Sequence, residues 1–190
     1  MQFAEWSVRG AAEIQLPRRR VQSMKQLDHA RLTTLLRQGK HAQAMRECED
    51  FITQHSESAS GYATRASLHE LQRNFTNALP DRDRVVRLEP NRATSYFNRG
   101  MTHYLTGNYP AAHQDFSQAM SFADPALEHA PRLFRADCNY RLNRHDEALS
   151  DCKSIPEDYT FPGFRWRPDG SKHLIIADIR AARMGRLQPR

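Results

Sequence analysis

The chain has 190 residues, with 28 Lys and Arg against 22 Asp and Glu, a net charge of +6 and a pI near 9.5. Hydrophobic residues make up 39% and charged residues 26%, enough to bury a core, which excludes a disordered chain. No apolar run approaches the roughly 20 residues of a transmembrane helix, and the three cysteines, Cys48, Cys138 and Cys152, form no C-x-x-C pair, so a disulfide framework is not expected.

Residues 1–24 match no later segment and read as a flexible N-terminal extension. Arg18 to Arg20 are not followed by an apolar stretch, and Glu5 and Glu13 argue against a secretory or mitochondrial leader, so a cytoplasmic location is expected. Phe3, Trp6 and Val8 offer an alternative, docking on the helices downstream. Of the 28 basic residues 24 are Arg, a skew that reads as a GC-rich, bacterial coding bias.

From residue 25 the chain repeats itself. Ala44, Ala78, Ala112 and Ala148 stand 34, 34 and 36 residues apart, each after a short polar turn and before a helical pattern. A second helical stretch lies upstream of each turn. The unit is therefore helix, turn, helix, with predicted boundaries 25–58, 59–92, 93–126 and 129–160. In the third unit Tyr96, Gly100, Tyr104, Gly107, Tyr109, Ala112, Phe116 and Ala119 alternate bulky and small side chains. Small residues such as Gly100 and Ala112 belong where the two helices of a hairpin cross closely. On these residues the chain resembles the tetratricopeptide repeat family over residues 25–160. The resemblance implies an all-α, right-handed superhelical array that binds a peptide or helix of a partner protein and catalyses nothing.

A second periodicity runs through the same units. Arg31, Arg65, Arg99 and Arg135 recur at one point of the first helix, and Glu47, Asp81, Asp115 and Asp151 each stand sixteen residues later. The constant offset predicts an Arg–carboxylate bridge inside every hairpin rather than a phosphate-binding row. After Ile155-Pro156 comes a Pro- and aromatic-rich loop, and Asp169-Gly170 with Ser171 signals the start of a last helix from Lys172 to about residue 187. Its Leu174, Ile175, Ile179 and Ala182 can cap the array while Arg180, Arg183 and Arg186 face outward.

No glycine-rich phosphate loop, nucleophile elbow or metal-ligand motif is present, so no enzyme, cofactor or metal site is expected. His69 and His103 share one repeat position and read as stack residues. Cys48 and Cys152 share a core-facing position and read as buried hydrophobes. In the implied fold the first helices line a concave groove. Its first half is small and polar, with His29, Thr33, Ser60, Ala63, Ser67 and Glu70; its second half carries Phe97, Met101, Tyr104, Leu133, Asp137 and Tyr140. The aromatic set either forms an open anchor pocket for a partner or packs under the C-terminal segment. One branch of the family grips acidic C-terminal tails with Lys, Asn and Arg side chains. Of the matching positions here only Asn98 carries such a residue, so an acidic-tail cochaperone is disfavoured. Two rivals stay open: a small secretion or effector chaperone, and a nucleic-acid-binding repeat protein using Arg82, Arg84, Arg87, Arg92 and Arg18 to Arg20.

Overall fold

The computed structural model describes residues 27–161 and 172–184. The N-terminal extension, the turn and cap at residues 169–171, and Arg186 lie outside the described residues. Among those described there are nine α-helices, one 3-10 turn and no strand. Helix α1 (His29–Arg37) pairs with α2 (His41–Gln54), α3 (Ala59–Leu71) with α4 (Phe75–Leu88), α5 (Ala93–Leu105) with α6 (Tyr109–Ser121), and α7 (Ala130–Arg141) with α8 (His145–Lys153). Each second helix also packs on the next hairpin, and α9 (Lys172–Arg183) lies against α7 and α8. The fold is an all-helical repeat array closed by a terminal helix.

The hairpin turns explain why each unit reverses where it does. Residues 39, 73, 107 and 143 occupy one repeat position, and all four have positive φ: Gly39 at 72°, Arg73 at 57°, Gly107 at 78° and Asn143 at 60°. That left-handed conformation ends a helix and is cheapest for glycine, then asparagine. The next residue starts the second helix. Asn74 and Asn108 do so with a side chain that accepts from the backbone N–H three residues on.

Close packing follows from the small residues. Ala44, Ala78, Ala112 and Ala148 are fully buried. A Cβ on Gly100 would stand 2.9 Å from Phe116 Cε1 and 3.0 Å from Asp115 Cβ, so only glycine lets α5 and α6 cross at this distance. Around these contacts Phe97, Phe116, Phe134 and Cys138 form the central core, with a second core of Leu133, Tyr140, Ile155, Ile175 and Ile179 under the terminal helix.

The predicted bridge is present in all four hairpins. Arg31 Nε and Nη2 donate to Glu47, and Arg65, Arg99 and Arg135 each donate Nε and Nη2 to the two oxygens of Asp81, Asp115 and Asp151. The two-pronged geometry suits the planar guanidinium. In the third and fourth units the same arginines reach further: Arg99 Nη1 donates to Asp83 Oδ1 at 2.9 Å, and Arg135 Nη1 to Ser117 Oγ at 3.2 Å. Asp83 and Ser117 are equivalent positions on the preceding hairpin, so one side chain ties the unit together and fastens it to its neighbour. The hydroxyls of Tyr62 and Tyr96 repeat in register too, donating to the carbonyls of Ser56 and Pro90 in the turns between hairpins.

Candidate partner-binding site

The face lined by the first helices, expected to be concave, divides into an open half and a filled half. In the first three hairpins His29, Thr33, Ser60, Ser67 and Asn98 are exposed. A cleft of about 210 Å³ lies among them, lined by His29, Ser60, Ala63, Thr64, Thr94 and Asn98, with Glu89 and Arg92 at its edge. Its walls are small, polar side chains on successive first helices. Asn98 presents both a donor and an acceptor there, suited to a peptide backbone.

The aromatic half is not the open pocket that spacing alone allows. Phe97, Tyr104, Leu133 and Tyr140 are each at most 8% exposed, and Asp137 is fully buried. The first reason is the segment after α8, which turns back so that Phe161 packs against Phe97 and Phe134 at ring centroid distances of 6.3 and 5.1 Å. The second is that the set splits between two cores. Phe97, Met101 and Tyr104 gather with Phe116 and Phe134, whereas Leu133 and Tyr140 pack beneath α9. Met101 keeps partial exposure, and Asn98 is exposed.

Two of the expected groove residues, Glu70 and Asp137, are committed to interior networks. Glu70 accepts from Arg82 Nε and Nη2 at 2.9 and 2.7 Å and from the Thr102 hydroxyl. Asp137 accepts from the Tyr104 hydroxyl and, at 2.7 Å, from Arg141 Nε. Both networks join neighbouring hairpins, and a carboxylate held this way could turn to a ligand only by giving up its ion pair. The first network has a sequence signal that groove-facing periodicity overlooks. Arg82 occupies the repeat position that holds Cys48, Phe116 and Cys152, all core residues, so a charge there demands a buried partner. Lys172 is a second surprise: it is 3% exposed, with Nζ donating to the Ile155 carbonyl and bridging Glu157.

Burial pushes the Cys48 thiol up to about 11 and the Cys138 thiol well above the usual range, which makes both poor nucleophiles. His69 and His103 each keep a buried Nδ1 without a hydrogen-bond partner. Among the described residues no three His, Cys, Asp or Glu side chains converge as a metal site. None of their helices is long and apolar enough to cross a membrane. Of the arginines weighed for nucleic acid, Arg82, Arg84 and Arg92 are paired with Glu70, Glu57 and Glu89.

Stacked two-helix units whose first helices form one row define a helical-repeat fold. The sequence model of the tetratricopeptide repeat family matches residues 64–128. The chain is 32% identical over 86 residues to the Protein SGT1 homolog of Bos taurus, a match covering 44% of this chain and 25% of that one. A tetratricopeptide repeat protein from Parabacteroides merdae superposes with a TM-score of 0.63 at 22% identity, covering 88% of this chain and 63% of that one. MamA from Desulfovibrio magneticus gives 0.57 at 16% identity, covering 64% and 68%. Residues 64–128 carry the match to the tetratricopeptide repeat family, and the chain spans a quarter of the length of the curated relative it matches. Its class is that of protein-interaction modules.

Proposed function

We propose that the chain holds a peptide or helix of a partner protein along the open, N-terminal half of its concave face. The observation that carries this reading is the polar cleft whose lining, from His29 through Thr64 to Asn98, spans three successive hairpins. Rigid helices position those side chains, so little order has to be imposed when a ligand arrives. The filled aromatic half supports the same choice, because Phe97, Tyr104 and Leu133 already have an occupant in Phe161 and the adjacent core. Asn98 is the contact we assign to the ligand backbone, with Met101 at the boundary as an adaptable apolar contact. A nucleic-acid role is disfavoured by the ion pairs of Arg82, Arg84 and Arg92, since a paired guanidinium releases few counterions on binding phosphate. The reading includes a cytoplasmic setting and a bacterial origin, supported by three buried cysteines outside any disulfide and by the preference for Arg over Lys.

A random-peptide display selection against the purified chain tests this. Enriched peptides should bind the wild type and lose affinity at least about tenfold, or 1.4 kcal/mol, with Asn98→Arg, which blocks the cleft without entering the core. No enrichment, or affinity unchanged by that variant while its helicity is intact, would remove the concave cleft from the proposal.

A further inference from the structure

Between the third and fourth hairpins a cleft of about 340 Å³ is lined by the end of α6, the turn around Pro125–Leu127 and Arg132 of α7. We propose that it receives a tyrosine side chain of a partner protein, with the phenol hydroxyl held by Arg132 and a flanking carboxylate. The inference goes beyond the peptide cleft of the first-helix face, with which this cleft shares no lining residue.

The repeat register shows what this junction lacks. Arg132 occupies the repeat position of Tyr62 and Tyr96, three residues before the bridge arginine of each unit. In the second and third units Arg65 and Arg99 lie 5.8 and 5.9 Å from the centroids of those tyrosine rings. The tyrosine hydroxyls donate to the carbonyls of Ser56 and Pro90, in the turns before their helices. In the first unit the position holds Asp28, which caps α1. The fourth unit keeps the bridge from Arg135 to Asp151 but has no ring at this position, and its preceding turn is two residues longer. A cavity of roughly 150 Å³ binds benzene, so this cleft has room for a phenol ring.

Chemistry then selects a phenol over other rings and over ions. Arg132 Nε is buried without a hydrogen-bond partner, an unmet donor beside the cleft that calls for an acceptor. The lining also carries two carboxylates. Asp124 accepts from the Ala126 N–H with Oδ1, and Glu128, its side chain 70% exposed, lies 3.7 Å from His129. An anion would meet both carboxylates and a cation would meet the guanidinium. A tyrosine hydroxyl is neutral, accepts from Arg132 and donates to a carboxylate. Phenylalanine offers neither function, and tryptophan only donates. Met120, Ala123, Pro125 and Leu127 supply apolar contact for the ring, and Met120 can adapt to it. A ring carried in by a partner completes the fourth unit as Tyr62 and Tyr96 complete the second and third.

The test is an amide-resolved NMR titration of the full chain with acetyl-Gly-Tyr-Gly-amide, with acetyl-Gly-Phe-Gly-amide as the control and p-cresol as a free phenol. The tyrosine peptide should give saturable shifts at the amides of residues 119–124, 126–128 and 132, with affinity at least about fivefold above the control, the worth of one hydrogen bond. Arg132→Tyr restores the repeat residue, so it should fold, fill the cleft and bind the tyrosine peptide at least about tenfold more weakly. Arg132→Met keeps the bulk and removes the donor, so it should bring the two peptides to equal affinity. No saturation, shifts elsewhere, equal affinity of the two peptides for the wild type, unchanged affinity in Arg132→Tyr, a tyrosine preference that survives Arg132→Met, or tighter binding of p-cresol than of the peptide would overturn the proposal. Should either variant fail to fold, the wild-type shift map and the tyrosine-to-phenylalanine ratio decide alone. Asn98→Arg should leave this titration unchanged, so failure here and failure of the first-helix cleft are separate results.

Discussion

Arg99 makes three charge-assisted hydrogen bonds through one guanidinium, two of them to an Asp115 carboxylate whose side chain is 6% exposed. Removing it strands a buried charge, so Arg99→Ala is expected to cost about 1–3 kcal/mol. Arg31 makes the same bridge in the first hairpin, but its side chain is 59% exposed, and solvent screening should make Arg31→Ala clearly less costly than Arg99→Ala. Urea denaturation of the two variants checks the contrast; equal losses would mean that burial does not set the strength of the ladder. Histidines supply the pH dependence at this scale. Burial holds His103 and His113 below their ordinary value near 6.5. The unfolded chain then binds protons that the folded chain resists, so stability is fully present above that value and lost as pH falls below it. The melting temperature should fall between pH 7 and 5.5, and the His103→Gln, His113→Gln pair should flatten that slope; an unchanged slope would move the dependence to other groups.

Among the elements, the segment between α8 and α9 decides what the concave face can do. Residues 156–161 form no helix or strand, and Phe161 is half-buried against Phe97 and Phe134. Phe161→Ala should therefore destabilise the chain by about 1–3 kcal/mol, less than a fully buried ring, and leave the hairpins intact. It should also uncover apolar surface, read as increased binding of a hydrophobic dye with unchanged helicity. Helix α9 acts differently, because Ile175 and Ile179 are fully buried against Leu133, Tyr140 and Ile155. The 36-residue spacing before the fourth unit also has an element-scale cause. Two extra residues are absorbed at 122–129 by the Pro125–Leu127 turn, where Asp124 accepts from the Ala126 N–H.

For the molecule as a whole, stability is a sum of similar units and their interfaces, and the last unit depends on its cap. Truncation after residue 155 removes α9 and exposes the second core, and it should turn a monodisperse sample into aggregates measurable by light scattering. A well-behaved truncated chain would show that the four hairpins suffice. The spacing of Ala44, Ala78, Ala112 and Ala148, the Arg–carboxylate offset and Gly100 determined the repeat, the pairing of helices and the bridges. Each is local or separated by one hairpin, and such contacts recur at a constant register that a sequence can display. The open or closed state of the concave face was decided only in three dimensions. Phe97 and Phe161 lie 64 positions apart in a non-repeating relation, and nothing periodic announces that one ring covers the other. The same holds for Glu70 and Thr102, and for Tyr104 and Asp137, whose hydrogen bonds join different hairpins through side chains that a groove-facing pattern assigns to solvent. Periodicity reports which face a residue is on, while burial depends on what the rest of the chain lays over that face.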